Sequence, residues 1–72
     1  MKLWLISQDF NSGWDTFDSA VVAADSEEEA RNTQVDPYGG AWCKPEHVQV
    51  RLIGEALPLT SAGVVLASFN AG

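Results

Sequence analysis

The sequence predicts a small α+β domain of order ββαββ, a mainly antiparallel four-stranded sheet with one short helix. Three observations predict it. Apolar and polar residues alternate with period two in four separate stretches; a helix-start signature stands between the second and third of these; and the first two are joined by turn-forming residues. Seventy-two residues make one domain, spanning 1–72, near the lower size limit for a fold without staples.

Lys2 to Gln8 reads as the first strand, with Leu3, Leu5 and Ser7 on one side and Trp4 and Ile6 on the other. Thr16 to Ala24 reads as the second, with Phe17, Ser19, Val21 and Ala23 opposed to Asp18, Ala20 and Val22. Asn11-Ser12-Gly13 supplies turn chemistry between them, which makes the pair an antiparallel hairpin. Ser26 followed three residues later by Glu29 is a capping box, and Glu27, Glu28 and Glu29 sit where a helix dipole favours negative charge. Glu27 and Arg31 have the spacing of a helical ion pair. Asp36-Pro37 and Gly39-Gly40 stop that helix early, and Val35 to Glu46 reads as irregular.

Val48 to Ile53 returns to alternation, with Val48, Val50 and Leu52 inward and Gln49 and Arg51 outward. Leu57 to Gly63 is a connection with room for one helical turn, and Val64 to Phe69 is the last strand. A single short helix cannot cover both faces of four strands. Trp4, Ile6, Val65 and Phe69 therefore read as a second apolar face, and a homo-oligomer is expected to bury it.

Ten acidic residues against four basic ones give a net charge of -6. Such a surface repels phosphate backbones, so direct nucleic-acid binding is not expected, whereas a basic protein surface is a plausible target. The single cysteine, Cys43, forbids an internal disulfide. The apolar start Leu3 to Ile6 is too short for a signal-peptide core, and Val64 to Ala67 is too short to span a bilayer. The expected setting is a cytoplasm, with no membrane partner.

No constellation is complete enough for an enzyme. Cys43 and His47 pair a thiol with the lone imidazole, but Pro45 between them forbids a regular helix and no third group orients them. One Cys and one His do not fill a zinc shell. Asp9, Asp15 and Asp18 are spaced for local backbone hydrogen bonds rather than for a cation loop. No cofactor, no metal and no catalytic residue is expected.

The aromatics admit two readings. Trp14, Tyr38 and Trp42 lie among turn residues, where they either plug the ends of a tiny core or offer flat faces to a planar base. On the second reading the ligand is a small nucleotide. Its base stacks on Trp14 or Trp42, and its sugar hydroxyls meet Asp15, Asp18 or Ser19. Its phosphate meets Lys44 or Arg51.

The stretches "KLWLISQD", "WDTFDSAVVAA", "SEEEAR", "VRLIGEA" and "GVVLASFNAG" together resemble a family of short phage-encoded proteins. The resemblance covers nearly the whole chain, and its ending "ASFNAG" is the most specific part. It implies a small accessory protein made in a bacterial host cytosol and directed against host processes or antiviral defence. It assigns no residue a role. Two functions are expected from this point. One is a sponge that sequesters a nucleotide-derived immune signal such as a cyclic ADP-ribose species. The other is an acidic inhibitor of a host or defence protein, in the manner of anti-CRISPR proteins, acting through Glu27 and Glu28.

Overall fold

Four strands and one short helix make up the regular structure of the described residues. They come from a computed structural model that describes residues 1–9, 16–36 and 42–70. The strands are β1 (Lys2–Ser7), β2 (Thr16–Ala24), β3 (Gln49–Glu55) and β4 (Gly63–Asn70). Helix α1 (Glu27–Arg31) follows β2, and a 3-10 turn at Pro45–His47 leads into β3. The sheet is antiparallel throughout, in the order β3-β1-β2-β4. The expected Asn11-Ser12-Gly13 turn lies outside the described residues, as do Trp14, Asp15, Tyr38 and Gly39-Gly40.

The helix begins where the capping signal stands. Ser26 is the N-cap, and its Oγ accepts from the Glu29 backbone N–H at 3.2 Å. Ala30 faces the sheet with no exposure, and Arg31 ends the helix. The Arg31 guanidinium has two partners, Glu27 at 3.4 Å and the Val48 carbonyl just before β3. One side chain thereby ties the helix to the strand beyond the irregular segment.

Period-two alternation decides which residues reach the core. Trp4 and Ile6 of β1 and Ala20 and Val22 of β2 pair across the hairpin, Trp4 opposite Val22 and Ile6 opposite Ala20. Together with Ala24, Ala30, Val35, Trp42 and Val48 they form one buried cluster on the face that α1 covers. Trp4 and Ile6 are therefore core residues, not part of a second face; periodicity separates the two sides of a strand but does not say which side the helix takes. Val65 stays exposed, at 56 %; Phe69, 47 % exposed, lies instead on the covered side with Ala67, opposite Phe17, which packs against the core. Leu52, expected inward, is also exposed, because it sits on the sheet-edge strand β3.

The far end of the hairpin is closed by polar bonds. The backbone N–H of buried Gln8 donates to the Asp18 carbonyl at 3.0 Å, and its Nε2 donates to the Phe17 carbonyl at 2.7 Å. Between β3 and β4 the expected helical turn is instead a β-turn. Thr60 N–H donates to the Leu57 carbonyl at 3.2 Å, with Pro58 at the second position and Leu59 at φ 71° at the third. No helix among the described residues is long and apolar enough to cross a membrane.

Candidate functional site

The described residues leave the second face of the sheet uncovered, and the strand registers fix what it presents. Leu5 lies between Arg51 of β3 and Val21 of β2, and Val21 lies opposite Leu66 of β4. That makes one cross-strand row, Arg51–Leu5–Val21–Leu66. The next row is polar: Ser7 lies between Gln49 and Ser19, and Ser19 lies opposite Ser68. Three aliphatic side chains thus run beside three hydroxyls, with a guanidinium at one end.

Between the rows is a depression of about 300 Å³, open to solvent and lined by Leu5, Ser19, Val21, Leu66 and Ser68, with Ala20 and Ala67 at its floor. A largely apolar concavity with a few convergent polar groups is the usual form of a small-molecule site. The register shifts between Phe17 and Ser19, so Asp18 is an extra residue in β2 and forms a bulge. Bulges of this kind re-aim side chains. Asp18 stands exposed there, and its Oδ1 accepts from the Ser19 hydroxyl at 3.3 Å. Just beyond the bulge, Phe17 and Phe69 meet edge to face at a centroid distance of 4.8 Å.

The expected ligand residues are thus divided. Ser19 and Arg51 share the uncovered face, and Asp18 is hydrogen-bonded to Ser19. Trp42 is 8 % exposed and packs in the core on the helix-covered side, so its ring plugs the core and offers no face to a base. Its indole Nε1 has no hydrogen-bond partner among the described residues, unlike that of Trp4, which donates to the Ala24 carbonyl at 3.0 Å. Lys44 is exposed where the chain enters the 3-10 turn, in the segment that carries Trp42 and Val48 to the covered side. Trp14 and Asp15 lie outside the described residues. The polar row of serines was missed in the sequence, since its signal is only a shared position on three strands whose order had to be known first.

Elsewhere the geometry is plain. Glu27 and Glu28 are exposed on the first turn of α1, Glu27 being the partner of Arg31. Burial pushes the Cys43 thiol above its ordinary pKa, which disfavours the thiolate a nucleophile needs. His47 Nε2 lies 3.9 Å from a Glu46 carboxylate oxygen. Among the described residues no group of three His, Cys, Asp or Glu could hold a metal ion. The resemblance to short phage proteins rests on the quoted stretches alone, because comparison with protein families, curated proteins and solved structures finds no match.

Proposed function

We propose that this chain is a non-catalytic ββαββ binding module that sequesters a small nucleotide-derived signal on the uncovered face of its sheet. The observation that supports the reading is that Ser19 lines the depression and Arg51 lies on the same face, opposite its lining residue Leu5. They stand two strands and two residues apart, about 12 Å between backbones by ordinary strand geometry, a gap the long Arg51 side chain can shorten toward the span from a sugar hydroxyl to a phosphate. Leu5, Val21 and Leu66 supply an apolar bed for a base, and Asp18 orients the Ser19 hydroxyl. Nothing in this arrangement needs a nucleophile, a metal or a cofactor. The resemblance to phage-encoded proteins gives the role a context: removal of an immune signal in a bacterial cytosol.

Titration calorimetry with cyclic and linear ADP-ribose derivatives and cyclic dinucleotides tests this. Arg51→Ala should weaken binding about tenfold or more, since a charge-assisted hydrogen bond contributes about 1.5–3 kcal/mol. The ligand should be recovered chemically unchanged after heating. If the wild-type protein binds none of these compounds, or Arg51→Ala binds as tightly as wild type, the reading fails.

A second reading draws on one observation, the exposed acidic first turn of α1. There the chain is an inhibitor that presents Glu27 and Glu28 to a basic groove of a host or defence protein. Because Glu27 answers Arg31, the clean test is Glu28→Lys, which should lower antagonism of that target without loosening the helix.

A further inference from the structure

We infer that two copies of this chain pair along β4, antiparallel edge to edge, to make one continuous eight-stranded sheet. The two edges of the sheet are unlike. Each carries one extra residue, Ile53 in β3 and Val65 in β4, but only β3 also carries charges, Arg51 and Glu55. Charges on an edge strand are a device by which natural sheets prevent edge pairing. β4 is the other edge of the sheet formed by the described residues, and it reads Gly-Val-Val-Leu-Ala-Ser-Phe-Asn, with no charge and no proline.

The absence of charge extends well beyond the strand. All 14 Asp, Glu, Lys and Arg residues lie between Lys2 and Glu55, and none lies in the last 17 positions. A copy with a net charge of -6 repels its twin except where charge is missing, so this segment is the surface on which self-contact is electrostatically cheapest. It is also the most apolar surface described. Of the nine exposed large apolar residues among those described, six lie between Leu57 and Phe69. Within the stretch that would pair, Leu66 and Phe69 are 68 % and 47 % exposed.

The symmetry selects a centre. A two-fold axis normal to an antiparallel pair sets a residue opposite its own copy. The register shift between Val21 and Val22 leaves Val65 as the extra residue of β4, so Leu66–Asn70 is the regular stretch beyond it. Ser68 is its middle, and it is exposed on the uncovered face. Ser68 thus sits at the dyad, and the two depressions lie side by side on one extended surface.

Sedimentation equilibrium of the ligand-free full chain tests the pairing, so its outcome is independent of any nucleotide. The wild type should form a dimer of 7.8 kDa subunits. Ser68→Lys and Ser68→Glu should each weaken that dimer roughly tenfold or more, because like charges meet at the axis. Mixing the two variants should restore it as a heterodimer, a rescue that no folding defect can imitate. Amide exchange should also slow along β4 as wild-type concentration rises. A wild type that stays monomeric at every concentration, variants that dimerise as wild type does, or a mixture that fails to recover would each overturn the inference.

Discussion

On the covered face Ile6 and Val22 lose all contact with solvent, whereas one position along each strand Leu5 and Val21 are only half-buried, and Leu66 opposite Val21 is 68 % exposed. The side chains are alike in chemistry; what differs is what lies over them. α1 and the segment bearing Trp42 and Val48 convert one face into a core, and the other keeps its apolar area for something else. Hydrophobic stabilisation follows area removed from water, not hydrophobicity as such.

Truncations on the two faces should therefore separate widely. Ile6→Ala is expected to cost about 2–5 kcal/mol in urea unfolding, enough to unfold much of the population, and Leu66→Ala less than about 1 kcal/mol. Equal costs under dilute, ligand-free conditions would break the comparison, for they would mean that the open face is covered in solution.

The two core tryptophans sharpen it further. Trp4→Phe removes a buried hydrogen bond to the Ala24 carbonyl, while Trp42→Phe removes an N–H that has no partner among the described residues. The first should be more destabilising than the second by about 0.5–1.5 kcal/mol, measured as a difference in unfolding free energy. Loosening the cover itself has a comparable effect. Ser26→Ala removes the N-cap and should cost about 1 kcal/mol of stability, with ligand affinity on the opposite face unchanged. The smallest effect is a gain. Leu59 holds φ 71° with its side chain wholly in solvent, so Leu59→Gly relieves strain without losing a contact and should raise the melting temperature by the equivalent of about 0.5–1 kcal/mol.

These contrasts also mark how far the residues could be read before the structure. Ser26 with Glu29 located the helix start, because a cap is a local contact between neighbours in sequence. The strands were legible from alternation, within one or two residues of their ends. Which side of β1 is inward was not. Trp4 and Ile6 were read toward an uncovered face, since the choice depends on where α1 docks, and docking joins residues far apart in the chain. For the same reason Ser7 and Ser68 carried no signal beside Ser19: the three are neighbours only once β1, β2 and β4 are ordered. Trp42 stood between two readings until its burial was known, for a large ring beside turn residues suits a core end and a ligand shelf equally. Arg51 was read correctly as outward-facing, because a charged residue inside an alternating strand has one acceptable side.

The order β3-β1-β2-β4 has a kinetic meaning. β1 and β2 are joined by the shorter path and can pair first, but Ile6 must then find Val50 across the whole helix segment, and Val21 must find Leu66 after it. Loop closure over such separations is slow, and mixed folds rich in non-local pairs commonly take milliseconds or longer. β4 follows β1, β2 and β3 in sequence, so its pairing with β2 comes after all three have been made. During that interval the longest uncharged segment of an acidic chain is bare, without the gatekeeper charges that usually shield such strands. The yield of soluble protein should therefore depend on how fast β4 docks, and less on how stable the finished sheet is.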